Sequence, residues 1–249
     1  MNAIQIFLKP CEGKALIADA LVSREDIQTA LRQHTVVLIT GTTNAWLAKA
    51  ISRCLGAPEF EASGFCRGVI RGEGPTVQNK KTPFDFIVRQ GEILSEQTIF
   101  DVADTLSGQD IILKGANAVN LRDGSAGVLI GAPSGGTMIP ILQAALGRRT
   151  KLIHPVGVEK RVTRPICELA TLVNATEADG LRLLPTPGIP YTELDALHDL
   201  FDVKAELIAS GGVDGCEGGC LFQLDCSQGA DSTAIRSYFH RLRLDACGL

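Results

Sequence analysis

The 249-residue chain contains no uninterrupted apolar run of about 18 residues, the minimum for a helix that crosses a bilayer, so no membrane span is expected. Positive charge is not in excess either. Lys and Arg number 24 against 28 Asp and Glu, for a formal net charge of −4. A nucleic-acid binder concentrates basic charge on one face, and neither that nor a DNA-reading helix pair is legible here. The segment Met1 to Pro10 lacks a basic stretch and a small-residue cleavage site. It reads as a strand rather than a signal peptide, and a cytoplasmic location is expected. Repeats, low-complexity tracts and long linkers are missing too, so the chain is expected to be compact throughout.

Eight cysteines are present, but not in the arrangement of a zinc site. Cys216 and Cys220 form a C-x₃-C pair with Cys226 nearby, and no histidine follows before His240. Zinc sites usually carry a second close pair or histidines at helical spacing. The pair therefore reads as hairpin packing, and neither a metal nor a cofactor is expected. Cys11, Cys54, Cys66 and Cys167 are scattered singly and suit buried packing.

What the sequence does contain is an alternation of strand and helix signals. Val36-Val37-Leu38-Ile39 suits a strand buried on both faces. Gly41-Thr42-Thr43-Asn44 breaks the run, and Ala45, Leu47, Ala48, Ile51 and Leu55 then fall on one helical face. The unit recurs twice. Asp110 to Leu113 leads into Gly115-Ala116-Asn117, and Val128 to Ile130 leads into Gly131 to Thr137, which opens a helix over Met138–Leu146. Lys151 to Pro155 reads as a further strand. This predicts an α/β fold with a doubly wound, mostly parallel sheet, which binds ligands beyond the carboxyl ends of its strands. Beyond Gly180 the rhythm becomes β-α-β-β-α: a strand at Leu181–Leu184, a helix at Tyr191–Phe201, strands at Val203–Ala209 and Cys220–Asp225, and a helix capped by Asp231. That order is most of a ferredoxin-like unit. Residues 1–178 are expected to form the α/β domain, and residues 179–249 a small ferredoxin-like α+β domain.

The order of these parts resembles the type A ribose-5-phosphate isomerases, within the isomerase and CoA-transferase-like superfamily. Gly41-Thr42-Thr43 resembles the family's first phosphate loop. The stretch Asp110 to Asn120 resembles the strand ending in D-G-A-D-E-V-D, and Ser134-Gly135-Gly136-Thr137 resembles the glycine run. Gly157-Val158-Glu159-Lys160 resembles the stretch ending in lysine, and Val213 to Asp225 the hairpin of the small domain. The likeness covers most of residues 36 to 243. Its departures bear on function: the acidic motif reads Lys114-Gly115-Ala116-Asn117-Ala118-Val119-Asn120, the family's lysine falls near Gly131, and its catalytic glutamate near Leu142. Aldose–ketose isomerisation needs a carboxylate to carry a proton between carbons, so ribose-5-phosphate isomerase activity is not expected.

Candidate ligand-binding residues are Gly41, Thr42, Thr43, Asn44, Lys114, Asn117, Gly135, Gly136, Thr137 and Lys160. The Gly41 loop precedes a helix, where free N–H groups and the dipole favour an anion; it equally suits a plain capped turn. Gly135 and Gly136 allow close approach of a ligand or of a neighbouring loop. Lys114 ends a buried strand, where a charge demands a partner, either a ligand anion or a carboxylate such as Asp110 or Asp123. Asn117 keeps hydrogen-bonding ability without charge. His154 reads as a satisfied core residue. Arg67, Arg71, Glu73, Lys80, Lys81 and Asp85 fall in a polar stretch that suits a cover over the cleft or a solvated surface, with Glu73 and Asp85 the candidates for a catalytic base.

Two readings stand side by side: a divergent enzyme acting on a small anionic metabolite, phosphorylated or CoA-type, and a non-catalytic sensor or subunit that keeps the pocket. The expected partner is that metabolite, with a homo-oligomer allowed and neither nucleic acid nor membrane expected.

Overall fold

A computed structural model describes residues 3–70, 84–227 and 229–246. In chain order the elements are β1 (Ala3–Leu8), α1 (Pro10–Ser23), α2 (Glu25–Gln33), β2 (Thr35–Leu38), α3 (Thr42–Cys54), β3 (Phe86–Arg89), β4 (Glu92–Leu94) and α4 (Ile99–Val102). They continue with β5 (Ile111–Leu113), β6 (Ala118–Asn120), β7 (Ser125–Ile130), α5 (Met138–Leu142), β8 (Lys151–Pro155), α6 (Ile166–Val173), β9 (Arg182–Thr186) and β10 (Ile189–Tyr191). The last four are α7 (Glu193–Phe201), β11 (Lys204–Ser210), β12 (Cys220–Asp225) and α8 (Ser232–Ala246).

The protein is mixed α/β, with three sheets among the described residues. The largest has the order β10-β8-β5-β2-β3-β4, with β10, β8, β5 and β2 parallel and the β3–β4 hairpin antiparallel at one edge. Every residue of β2 and β5 is buried, as befits apolar strands covered on both faces. Alternate side chains enter two cores. Val36, Leu38, Ile111, Leu113 and Ile153 pack with Leu16 of α1, Leu47 of α3 and Leu197 of α7. Val37, Ile112 and Leu152 pack on the other face with Ile99 of α4, Ile141 of α5, and Val119 and Val128 of β6 and β7.

Three expectations need correction. The four parallel strands follow one another across the sheet in chain order, so their order does not reverse as a doubly wound sheet's does. The stretch ending in Val128 to Ile130 is not a parallel strand of that sheet. It belongs to β7, which pairs antiparallel with β6 and β9 in a separate sheet. Only Leu121 to Gly124 separates β6 from β7, and Gly124 adopts a positive φ of 64°; a link that short joins antiparallel neighbours only. Finally, the β-α-β-β-α segment does not form one sheet of its own. β9 pairs with β7, and β10 joins the large sheet. The amino-terminal strand β1 instead pairs with β12, giving the order β1-β12-β11, because its alternate residues Ile4, Ile6 and Leu8 are apolar and buried.

Several local signals appear where the sequence placed them. Asp231 accepts the N–H groups of Thr233 and Ala234 at 2.8 and 3.2 Å, capping α8. The helix expected over Met138–Leu146 is α5 followed by a π-helical turn, Gln143–Gly147. Cys54, Cys66 and Cys167 are exposed rather than buried, since each lies at a helix end, in a loop or on a helix's solvent face.

Candidate functional site

The carboxyl ends of β2, β5 and β8 form one rim, and main-chain hydrogen bonds extend the sheet to its edge. Ile39 N–H donates to Leu113 O at 2.9 Å, and Lys114 N–H to Ile153 O at 3.0 Å. Past that edge the apolar runs stop and charged residues begin. Lys114 follows β5 directly. Lys160 closes the 3₁₀ turn Val158–Lys160 after β8, and α1 contributes Lys14 from its first turns.

These cations feel one another. Burial, reinforced by Lys160 and Arg67 and opposed by Asp85, draws the Lys114 ammonium down to about 8. Burial also lowers Lys14, again with Lys160 adding to the effect, and Glu159 and Cys11 opposing it. Lys14, Lys114 and Lys160 thus lie within electrostatic reach along one rim, with Arg67 beside Lys114.

Two carboxylates sit among them, each fitted against a glycine. A Cβ built on Gly13 of α1 would overlap Glu193 Oε1, and one on Gly157 would overlap the carboxylate of Glu159. Glu193 is 3% exposed, and its Oε2 accepts the Val158 N–H at 2.8 Å. Burial first, and the charge of Glu159 second, push its carboxyl up to about 7, against the Val158 hydrogen bond and Lys160. A carboxyl near neutrality can both give and take a proton at physiological pH.

The candidates from sequence divide into groups. Gly41 is the residue before α3, and no side chain caps that helix, so the turn's first N–H groups are not spent on a Thr or Asn cap. Thr42 is exposed and Thr43 buried. Asn44 donates from Nδ2 to Ile39 O and Leu113 O, both at 2.7 Å, which clamps the ends of β2 and β5 together; its buried Oδ1 accepts from nothing among the described residues. The Gly41 loop, Lys114 and Lys160 are therefore brought to the same rim. Asn117 is exposed, and its Oδ1 accepts the Leu129 N–H at 3.0 Å, so that oxygen serves the link to β7.

Gly135, Gly136 and Thr137 follow β7 rather than a strand of the parallel sheet. The two glycines have φ of 80° and 59°, and they lead into α5, which packs on the face opposite α3. The loop from Gly131 to Thr137 thus leaves a strand outside the parallel sheet, and Gly131 at its start lies against Val69. Of the two candidate bases, Glu73 falls outside the described residues, as do Arg71, Lys80 and Lys81. Asp85 is buried, and its oxygens are committed: Oδ1 accepts Thr40 N–H at 2.8 Å and Thr40 Oγ1–H at 2.9 Å, while Oδ2 accepts Ile99 N–H at 2.9 Å. Arg67 lies 3.9 Å from Oδ1. Asp85 joins β3 to β2 and provides countercharge.

The sequence reading missed Lys14 and Glu193, and gave Glu159 no role. The one available signal was Gly13, an isolated glycine between helix formers, which often marks a close packing contact. A groove of about 780 Å³ runs past Phe60, Phe65 and Phe86, with Glu59, Glu61 and Asp85 also in its lining. Among the described residues no cluster of three or more His, Cys, Asp and Glu suits a metal, and no helix is long and apolar enough to cross a membrane. Cys220 is buried, with its sulfur 3.6 Å from Ser210 Oγ. No protein-family model matches the chain, and no curated protein or solved structure matches it.

Proposed function

We propose that the protein binds a small anionic metabolite, phosphorylated or CoA-type, at the rim formed by Lys14, Lys114, Lys160 and the Gly41 loop. The supporting observation is the depressed Lys114 ammonium: burial beside two further cations makes its charge unfavourable, and a bound anion would reverse that. The uncapped first turn of α3 supplies backbone donors at the same place, since Asn44 ties it to Leu113.

The reading is that of a divergent enzyme on a scaffold like that of the isomerase and CoA-transferase-like superfamily, without ribose-5-phosphate isomerase activity. Glu193, poised near neutrality, favours catalysis. The alternative, a sensor that binds without turnover, draws support from Asp85, whose oxygens are all engaged by the protein itself.

A thermal-shift series with inorganic phosphate, sugar phosphates and CoA tests the proposal. A ligand at about 100 times its Kd adds ~2.7 kcal/mol of stability, and Lys114→Ala or Lys160→Ala is expected to remove most of the gain. Binding also raises the Lys114 pKa, so complex formation near pH 8 takes up protons, which calorimetry in buffers of differing ionisation heat detects. A flat response to every anion class would defeat the proposal.

A further inference from the structure

Lys114 is held more firmly than an ordinary rim lysine. Its N–H donates to Ile153 O at 3.0 Å, and its carbonyl oxygen is engaged by His154 Nδ1, so the backbone is fixed on both sides of the side chain. The ammonium nitrogen donates to Gly115 O, a neutral acceptor, at 3.1 Å. The carboxylate within its electrostatic reach, Asp85, is already committed to Thr40, Ile99 and Arg67. Among the described residues no carboxylate pairs with the Lys114 ammonium, and a partly buried lysine beside two cations is the setting in which lysines act as amine nucleophiles.

We propose that Lys114 forms an imine with the carbonyl carbon of a phosphorylated or carboxylated aldehyde or ketone held by Lys160, Lys14 and the Gly41 loop. This inference rests on the anion-binding reading and adds a substrate class to it. The nitrogen lone pair of Lys114 attacks the carbonyl carbon, forming the C–N bond as the C=O π bond opens to a carbinolamine. The oxygen then leaves as water together with both amine hydrogens, so no oxidant or other co-reactant is needed. At pH 7.4 about one ordinary lysine in a thousand is neutral, whereas at a pKa of about 8 roughly a fifth is. Burial contributes most to this value, and the charged groups that adjust it are Lys160 beyond β8, which lowers it, Asp85 just before β3, which raises it, and Arg67, which lowers it. The cations that make the amine available also attract the anionic end of the substrate.

The test treats the full chain with pyridoxal 5′-phosphate, used as a phosphorylated aldehyde probe, then reduces with sodium borohydride and maps the adduct by peptide mass spectrometry. Labelling of Lys114 at least about tenfold above every other lysine is expected, rising with pH around a midpoint near 8, and suppressed by inorganic phosphate. Lys114→Arg should lose the label, and Lys160→Gln should move the midpoint upward. Should Lys114→Arg not fold, the peptide map of the wild type decides alone. Label spread over surface lysines, or absent from Lys114, overturns the inference. Phosphate that stabilises the protein without any Lys114 adduct would remove the nucleophile and leave the anion site. Adduct at Lys114 that phosphate does not diminish would keep the nucleophile and remove the anion site.

Discussion

His154 Nδ1 meets the main-chain carbonyl oxygen of Lys114, and its Nε2 lies 2.9 Å from Thr186 Oγ1. A carbonyl only accepts, so Nδ1 carries the proton and Nε2 accepts from the Thr186 hydroxyl. The imidazole thereby joins β8 to the start of the Lys114 loop and to β9. It is fully buried, and burial draws it down to about 4.

Stability should follow that depression. The unfolded chain takes up the His154 proton near 6.5 and the folded protein only near 4, so the neutral ring's contribution is complete above 6.5 and declines as pH falls through this window. The loss is about 3 kcal/mol. In urea unfolding, the wild type's advantage over His154→Gln is expected to shrink by that amount from pH 7.5 to 4. A pH-independent advantage would refute the assignment.

Glu193 should show the opposite sign. Its folded pKa of about 7 lies above the ordinary 4.5, so the folded protein binds the extra proton and stability declines as pH rises from 4.5 to 7. Glu193→Gln keeps an acceptor for the Val158 N–H and loses the charge. Relative to the wild type, the variant should gain about 3 kcal/mol across that range. Equal pH profiles for the two proteins would show that Glu193 is ionised throughout.

Gly13→Ala should destabilise the protein although alanine is the better helix former by ~1 kcal/mol. The added methyl overlaps Glu193 Oε1, and crowding of that kind costs about 1–3 kcal/mol. Combining the change with Glu193→Ala should recover the loss, a coupling that a double-mutant cycle measures. Additive effects would mean that the two residues do not touch.

For Asp85, a link between strands rather than a base, Asp85→Asn should lower stability by about 1–3 kcal/mol. The amide nitrogen would replace an oxygen that faces N–H donors. A variant with unchanged denaturation midpoint would return Asp85 to the candidates for catalysis.

The rim was legible where one element sufficed to reveal it. Val36 to Ile39 followed by Gly41, and Ile111 to Leu113 followed by Lys114, mark buried strands that end in a polar edge, because an apolar run can stop only where the core stops. Glu193 was not legible. Nothing in Thr192-Glu193-Leu194 separates a buried acid from an exposed helix residue, and its setting is made by Gly13 and Val158, both remote in the chain. β6 escaped notice because three residues carry little periodicity.

By itself the sequence determined the alternation of strands and helices, the hairpin of β11 and β12, the α8 cap at Asp231 and the presence of Lys114 at a strand end, all consequences of local apolar period and turn chemistry. Tertiary structure alone decided that β1 rather than β9 completes the small sheet, that β7 leaves the parallel sheet, and that Lys14, Glu159 and Glu193 gather beside Lys160. Partner choice between strands and the meeting of distant charges depend on long-range burial, which short stretches of sequence do not encode.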